Sequence, residues 1–304
     1  MHYTLRHLEV FLATAFHENV SMAADSLAMS QSAASASLKD LEQRFGIQLF
    51  DRVGKRLQLN DFGKSLRPHA EALLSQAKEF EGLLLQRGQS SQIKVGATLT
   101  IGNYLAVPIM AEFMSRYPGS RVELTVENTS SITEKVRNFE LDIGLVEGEL
   151  QDTNLDVIPW RNDDLSLFCA PDHPLAGRPT LTDDDLLHAE WIIREAGSGT
   201  RQAFERAMHG LAPRIQVRLE LQHTEAIKRA VEAGLGIGCL STITLQEAFR
   251  RGSLLPLYAP QRDWVRQFYF ILHKQKYRSA GLRNWLALCQ EEGAGQFSTY
   301  GPDE

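Results

Sequence analysis

Apolar residues in the first 45 positions recur at spacings of three and four, the pattern of amphipathic helices. The first predicted helix spans residues 5–16 and has an apolar face made of Leu5, Leu8, Phe11, Leu12, Ala15 and Phe16. Ser21 and Ser30 predict the starts of two more helices, because serine is a favoured N-cap residue. The third helix is predicted to run from Gln31 to Phe45, to end at Gly46, and to bury Ala34, Leu38, Leu41 and Phe45.

A short turn joins the second and third predicted helices. Only Ala28, Met29 and Ser30 separate them, which is typical of a helix-turn-helix, the unit that places its second helix in a major groove of DNA. The outward face of the third helix suits that role, because its small residues permit close approach and the Gln31 amide can pair with adenine. A plain helical hairpin gives the same pattern and is the alternative at this point.

Two features follow the predicted helix-turn-helix. The segment 48–59 reads as two short strands around Val53–Gly54–Lys55, a wing whose cations can reach the DNA backbone or the minor groove. A heptad seam then favours pairing with a second copy of the chain, and its residues are Leu66, Ala70, Leu73, Ala77, Phe80 and Leu84. Pro68 and Gly82 are unfavourable inside a helix, so we expect a bend or weak turn near Pro68.

After a polar linker at 88–91, predicted strands and helices alternate, which indicates an α/β domain with a mostly parallel sheet. The predicted strands are 93–98, 121–127, 141–146, 165–170, 191–194, 216–221, 236–240 and 267–273. The predicted helices are 101–116, 132–139, 201–209, 225–233 and one that begins at 280.

Three strand-to-helix corners of this domain are rich in hydroxyl groups: Thr98–Leu99–Thr100, Thr129–Ser130–Ser131 and Gly197–Ser198–Gly199–Thr200. Ligands of α/β sheets bind at such corners, and a helix start offers unpaired N–H groups and a positive potential. Serine and threonine also cap helices for structural reasons alone. Three such corners in one domain favour a binding site for a small oxyanion.

Composition and charge set few further limits. The 304 residues suffice for roughly two domains of ordinary globular composition. The net charge of −6 neither supports nor excludes DNA binding, because only cations that face phosphates matter, and Arg52, Lys55 and Arg56 cluster at the wing. The chain shows no signal peptide and no apolar run long enough to span a membrane, so we expect a cytoplasmic protein with no membrane partner.

Enzyme and metal-site signatures are absent from the sequence. There is no GxxxxGK[ST], GxSxG, HExxH or CxxC motif, so we expect no catalytic residue, no metal site and no cofactor. The widely separated Cys169, Cys239 and Cys289 are typical of buried thiols in a reducing compartment, with a redox-sensing thiol as the alternative. A transport-type solute-binding protein would share the C-terminal fold, but it would need a signal peptide and no winged helix.

Several motifs resemble the LysR-type transcriptional regulators. They include LRHLEVF at 5–11, SQSAASASLKDLE at 30–42, GIQLFDR at 46–52, TLTIGNYLAVP, LDIGLVEG, REAGSGTR and EAIKRAVEAGLGIGCLS. The resemblance implies a winged helix-turn-helix at 1–60, a dimerising linker helix and hinge at 61–90, and an effector-binding domain at 91–304. That domain would be similar to periplasmic binding proteins, with one lobe formed by 92–161 and 267–304 and the other by 162–266.

The resemblance also implies partners and site residues. The partners would be double-stranded DNA, a second copy of the chain in a homodimer or a tetramer of paired dimers, and a small effector. The expected DNA-binding residues are Ser21, Gln31, Ser32, Ser35, Lys39, Arg52, Lys55 and Arg56. Many family members carry Arg where this chain has Ala36, so its target sequence cannot be copied from theirs.

The effector would bind between the two lobes. The expected pocket residues are Thr98, Thr100, Ile101, Thr129, Ser198 and Thr200. The motifs TIGNY, GLVEG, REAGSGTR and HTEAIK resemble a branch linked to sulfur assimilation, which suggests sulfite or a related oxyanion as the effector. A small organic carboxylate is the alternative ligand. The bound effector would favour one arrangement of the lobes and thereby change how the winged helices contact a promoter.

Overall fold

The computed structural model describes residues 2–54, 56–84 and 91–295, with only the backbone described at 292–295. The chain divides into two compact units. The first unit is Met1–Ser91 with Lys274–Arg283, and the second is Gln92–His273 with Asn284–Glu304. The predicted polar linker falls almost entirely on residues 88–90, which lie outside the described residues.

Three helices open the first unit: α1 (Leu5–His17), α2 (Val20–Ser26) and α3 (Gln31–Phe45). Their inner faces pack into one core that contains Leu8, Phe11, Ala24, Ala34, Leu38, Leu41, Leu49 and Phe50. The predicted helices and short turn are therefore confirmed. Ser30 caps α3 by accepting a hydrogen bond from the Ala33 N–H at 3.2 Å, and Gly46 ends this helix with φ of 63°.

Two details of the helix prediction are wrong. The N-cap of α2 is Asn19 and not Ser21, because the Asn19 side chain accepts the N–H groups of both Ser21 (2.8 Å) and Met22 (3.1 Å). Three apolar side chains that were expected in the core are about half exposed, namely Leu5, Phe16 and Phe45. All three lie in the terminal turns of their helices, where neighbouring helices no longer cover them.

The wing is an antiparallel hairpin of β1 (Phe50–Val53) and β2 (Arg56–Leu59), as predicted. Helix α4 (Asp61–Leu84) follows and includes Pro68 without interruption, so the expected weak turn is absent there, while the alternative of a bend stays a prediction. Pro68 is buried in this helix, although proline has no backbone N–H to donate there.

The second unit is built on a mixed sheet. Its strands are β3 (Gln92–Ala97), β4 (Arg121–Val126), β5 (Ile143–Glu147), β6 (Leu155–Cys169), β7 (Glu190–Arg194), β8 (Gln216–Leu221), β9 (Ile237–Ser241), β10 (Leu255–Leu257) and β11 (Val265–His273). The order is β4-β3-β5-β11-β6-β9-β7-β8, with β10 on β6. Strand β3 lies parallel to β4 and β5, and β7 lies parallel to β8 and β9, which confirms the α/β prediction. The expectation of a mostly parallel sheet is wrong, because the pairings that involve β6 and β11 are antiparallel.

Strands β6 and β11 connect the half around β3–β5, here called the first lobe, with the half around β7–β9, the second lobe. They pair antiparallel from Val265 opposite Asp164 to His273 opposite Leu155. Sequence analysis predicted only residues 165–170 of β6. The stretch 155–164 contains a proline and a run of charged residues, and it was therefore not recognised as a strand.

Helices cover both lobes. The first lobe has α5 (Leu99–Ile101), a π-helical turn at Gly102–Ala106, α6 (Val107–Arg116) and α7 (Thr129–Arg137). The second lobe has α8 (Asp183–His188), α9 (Gly199–Ala207), a 3₁₀ turn at Ala212–Arg214, α10 (Thr224–Glu232) and α11 (Thr242–Arg251). Helix α12 (Ala280–Gly295) ends the described chain. Sequence analysis placed the start of α5 two residues late, and it did not predict α8, α11 or β10. No helix in the described part of the chain is long and apolar enough to cross a membrane.

Candidate functional site

The exposed side of α3 carries the predicted base-contacting residues. Gln31, Ser32, Ser35 and Lys39 are all exposed and share one strip of the helix, because their spacing follows the helical repeat. The opposite side of the helix is buried in the core of the first unit. The N-cap hydroxyl of Ser30 lies 3.0 Å from the Ser32 hydroxyl. This arrangement leaves a small, polar helix surface open to solvent.

The turn before α3 holds an unusual backbone conformation. Ala28 has φ of 52°, in the left-handed region that favours glycine. The turn is closed by the Met29 N–H, which donates to the Ala24 carbonyl oxygen at 3.0 Å. The angle between α2 and α3 therefore depends on a strained alanine.

The wing presents cations to solvent. Arg52 and Arg56 are exposed on the two strands of the hairpin, and Lys55 lies outside the described residues. Arg56 approaches Glu18 at 3.5 Å but stays 74% exposed, so the ion pair is loose. The Leu57 N–H donates to the Glu18 carbonyl oxygen at 2.8 Å and fixes the hairpin against the end of α1. Ser21, the remaining predicted contact, is exposed on the first turn of α2.

In the second unit, one buried arginine holds the starts of α5 and α9 together. Arg266 on β11 donates from Nη1 to the Thr200 hydroxyl at 2.8 Å and from Nη2 to the Thr100 hydroxyl at 3.4 Å. Its side chain is only 1% exposed. The two threonines belong to different lobes, so the predicted pocket residues converge where the lobes meet.

Two buried carboxylates neutralise this arginine. Asp163 on β6 accepts from Arg266 Nε at 2.7 Å, and Glu147 at the end of β5 lies 3.2 Å from Arg266 Nη2. Asp163 also accepts the Ser241 hydroxyl at 2.7 Å. We call Glu147, Asp163 and Arg266 the charge cluster.

Burial and mutual attraction act in opposite directions on the charge cluster. Burial raises the pKa of Asp163, although Arg266 and the Ser241 hydroxyl oppose that rise. Burial also disfavours the charge of Arg266, but the carboxylates of Glu147 and Asp163 outweigh it and raise the pKa of this arginine. Arg266 therefore stays a cation, and its charge opposes the rise in pKa that burial causes at Asp163.

The six predicted pocket residues differ in what they can offer a ligand. Thr98 and Ser198 are the N-cap residues of α5 and α9, yet neither hydroxyl caps its helix. Both hydroxyls are buried and have no hydrogen-bond partner among the described residues. Buried polar atoms are rarely left unpaired, so these two groups suit contact with a ligand.

The other pocket residues are more engaged. The Thr129 hydroxyl donates to the Glu147 carbonyl oxygen at 2.9 Å and accepts the Gly199 N–H at 3.2 Å, so it joins the two lobes. The Thr200 hydroxyl lies 2.9 Å from Glu147 Oε1. Ile101 is fully buried and contributes an apolar wall.

Sequence analysis missed the charge cluster and Arg194. Arg194 is buried at the end of β7, where its Nε and Nη2 hold Glu195 at 2.8 and 3.0 Å while Nη1 has no acceptor among the described residues. The sequence contains one indication of the charge cluster, because Glu147 ends the otherwise apolar run IGLVE within the motif LDIGLVEG. A charged residue at the carboxyl end of a buried parallel strand points to the ligand side of the sheet.

Known protein families match the chain along most of its length. The bacterial regulatory helix-turn-helix protein, lysR family, matches residues 5–64, and the LysR substrate binding domain matches residues 86–294. The chain belongs to the LysR family of transcriptional regulators. Its relatives are named as regulators, which confirms the prediction that this LysR-family protein is not an enzyme.

Individual relatives agree with this family. The HTH-type transcriptional regulator YeiE of Escherichia coli strain K12 is 42% identical over 289 residues, covering 95% of this chain and 98% of YeiE. The CcmR regulatory domain of Synechocystis PCC6803, solved in complex with 2-PG, is 29% identical with a TM-score of 0.63, covering 68% of this chain and 99% of that domain. A full-length OxyR variant of Pseudomonas aeruginosa, at 20% identity, 95% coverage of both chains and a TM-score of 0.72, shows the shared fold alone.

Proposed function

We propose that this LysR-family regulator reads DNA with α3 and the wing, and that a small oxyanion, with sulfite as the first candidate, modulates its promoter binding from the cleft between the lobes. The observation that carries the effector assignment is the pair of unpartnered buried hydroxyls, Thr98 and Ser198, at helix starts on opposite lobes. The domain boundaries at 60 and 90 and the lobe boundaries at 161 and 267 belong to the same proposal.

The DNA surface follows from exposure and residue type. Gln31, Ser32 and Ser35 would contact base edges or phosphates, Lys39, Arg52, Lys55 and Arg56 would contact the backbone, and Ser21 would bind a phosphate at the start of α2. Two such surfaces are needed for a two-fold DNA site. Exposed Leu73, Phe80 and Leu84 on α4 supply an apolar stripe through which a second copy would pair.

The chemistry of the cleft favours an anion. First-turn N–H groups of α5 and α9 have no partner within their own helices and carry a positive potential. The Thr98 and Ser198 hydroxyls add neutral donors, and Arg194 adds an N–H without an acceptor in the described structure, on the strand that leads to Ser198. A compact oxyanion accepts hydrogen bonds from several directions at once, which these donors require.

A thermal-shift experiment on the full-length protein tests the effector. The panel is sulfite, sulfate, thiosulfate, phosphate and acetate, the last representing organic carboxylates. A ligand specific to the folded state raises apparent stability by about 2.7 kcal/mol at one hundred times its Kd. We expect the largest shift from sulfite or another inorganic oxyanion, and a largest shift from acetate would favour the carboxylate class instead.

Matched variants test whether the ligand binds in the cleft. Thr98→Val and Ser198→Ala remove the two unpartnered hydroxyls and should weaken the response at least tenfold in apparent Kd. Thr14→Val is the control, because Thr14 also carries a buried hydroxyl without a hydrogen bond in the described structure but belongs to the first unit. A full response in both cleft variants, or no response of the wild-type protein to any anion, would refute the effector proposal.

A gel-shift with the intergenic DNA upstream of the protein's own gene tests the proposed DNA binding. We expect a retarded complex at moderate salt that excess unrelated duplex does not compete away, and a changed mobility or affinity when the effector is added. Equal binding to unrelated duplex would contradict sequence-specific recognition.

A further inference from the structure

The hydrogen bond between Thr200 and Glu147 has a fixed direction. Arg266 Nη1 can only donate, so the Thr200 hydroxyl oxygen accepts from it at 2.8 Å. An ionised Glu147 can only accept, so the single proton of that hydroxyl must point to Glu147 Oε1 at 2.9 Å. With Glu147 ionised, Thr200 has no proton to donate to an anion in the cleft.

The charge cluster is also unfavourable to a further negative charge. It holds one cation and two carboxylates, with all three side chains 1% exposed. An entering anion would add to an existing excess negative charge in a place where water screens little.

The groups that face the charge cluster do not remove this excess. Cys239 on β9 is neutral, since burial raises the pKa of its thiol to about 12. Arg161, half-buried on β6, attracts Asp163 and offsets only a part of the excess. Thr100, Thr200 and Ser241 are uncharged, and Arg194 already pairs with Glu195.

Resting on the anion binding proposed above, we infer that the cleft takes up one proton with each anion and that the Glu147 carboxyl holds it. The Glu147 side chain is suited to this role because, within the described structure, its Oε1 hydrogen-bonds only with the Thr200 hydroxyl, while its Oε2 lies 3.2 Å from Arg266 Nη2 without a hydrogen bond. Both oxygens of Asp163 already accept hydrogen bonds, from Arg266 and Ser241.

The proton reverses one hydrogen bond. It comes from solvent and forms an O–H bond at Glu147 Oε1, which then donates to the Thr200 oxygen. Thr200 continues to accept from Arg266 Nη1, since a hydroxyl has two acceptor positions, and its own O–H turns to the anion. The proton offsets one unit of the negative charge that the anion brings, so a dianion such as sulfate adds one negative charge to the site instead of two. The effector class is thus an oxyanion that binds together with a proton.

Titration calorimetry on the full-length protein tests the inference, with sulfate, thiosulfate and sulfite as probes. Sulfate and thiosulfate stay fully ionised near neutral pH, so any proton uptake seen with them belongs to the protein. Uptake of one proton predicts a Kd that rises about tenfold for each pH unit. The same titration in two buffers of different ionisation enthalpy should give heats that differ by the enthalpy of one buffer proton per anion bound.

The Glu147→Gln variant imitates the protonated site, because the amide N–H₂ of E147Q can donate to Thr200 as the protonated acid would. We expect E147Q to bind the anion at slightly alkaline pH about as tightly as wild type does at slightly acidic pH, with no pH dependence. Glu149→Gln is the control, because Glu149 lies on the same connection but its side chain is 65% exposed and paired with Arg206. E149Q should keep the wild-type pH dependence.

The outcomes separate this inference from the proposed function. Anion binding without proton uptake in the wild type overturns the inference and leaves the anion site intact. A pH dependence that E147Q retains with sulfate or thiosulfate places the proton on another group of the protein and also overturns it. If none of the probes binds at any pH, the anion site itself is refuted. The two-buffer measurement uses the wild-type chain alone, so it decides whether a proton is taken up even if E147Q does not fold.

Discussion

Gly199 lies against the backbone of Glu147, so closely that a Cβ on Gly199 would stand 2.0 Å from the Glu147 carbonyl oxygen. This contact lets the start of α9 reach the end of β5 with no side chain between them. The Thr129 hydroxyl bridges the same two groups. The two lobes therefore meet through backbone at the edge of the proposed effector cleft.

Gly199→Ala should disrupt the cleft. The added methyl group must move at least about 1 Å, because real Cβ contacts shorter than 3.0 Å are essentially never seen. We expect a loss of about 1–3 kcal/mol of stability from overpacking and at least a tenfold weaker anion response, with DNA binding of the ligand-free protein retained. Differential scanning fluorimetry with and without anion measures both effects. Gly177→Ala is the control, since nothing lies within 4 Å of a Cβ there, and an unchanged response in G199A would be evidence against the cleft assignment.

Gln31→Ala should weaken specific DNA binding. A bidentate side-chain contact to a base contributes about 1–3 kcal/mol, so we expect roughly a tenfold to hundredfold rise in Kd for the specific site and little change for unrelated duplex. Fluorescence anisotropy at fixed salt measures both. Gln43→Ala is the matched control, because Gln43 is exposed on the same helix near its other end. Equal losses in the two variants would show that Gln31 has no special contact.

Phe80→Glu should prevent pairing through α4. Phe80 is 62% exposed in the first unit, which is unusual for a phenylalanine unless another surface covers it. A carboxylate in the seam would be buried on pairing, so we expect a shift toward monomer in light scattering after gel filtration. Lys78→Glu introduces the same group on an exposed position away from the seam and should stay paired. A paired F80E protein would exclude the stripe as the dimer contact.

Ala28→Gly should stabilise the helix-turn-helix. A left-handed backbone conformation costs a non-glycine residue about 1–2 kcal/mol, and glycine avoids this cost. Glycine also loses more chain entropy on folding than alanine does, which cancels part of the gain. The net gain should be up to about 1 kcal/mol, measured as slower hydrogen exchange in peptides from residues 20–45. Ala36→Gly, in the regular part of α3, should instead lose about 1 kcal/mol. Faster exchange in A28G would contradict the strain at this turn.

The three cysteines should be inert in the folded protein. All are buried, and burial raises the thiol pKa of Cys169 to about 11 and that of Cys239 to about 12. The reactive thiolate is therefore scarce near pH 8, and a disulfide reagent such as Ellman's should label the chain only after denaturation. Rapid labelling of one thiol in the native protein would revive the redox-sensor alternative.

The sequence predicted the helices of the first unit well because their apolar spacing and caps are local signals. Its failures there have physical causes: the Asn19 side chain captures two N–H groups ahead of Ser21, and terminal turns leave Phe16 and Phe45 uncovered. In the second unit, the hydroxyl-rich corners located the meeting point of the lobes.

The charge cluster could not be found in the same way. Asp163 lies in the run WRNDD, which reads as a solvated loop, and Arg266 reads as an exposed position before an apolar strand. Each is buried only because the other is present, and the two lie 103 positions apart in the chain. Local patterns do not contain such a pairing.

The pairing of β11 with β5 and β6 affects how the chain folds during synthesis. The other strands of the first lobe are complete once residue 169 has been made, but β5 keeps an unpaired edge until residues 265–273 emerge. An open strand edge is a template for wrong pairing, and long-range closure is slow. The effector domain must therefore wait for the last of the described strands before it can close, and a chain truncated before that strand should aggregate rather than yield a half-sized binding domain.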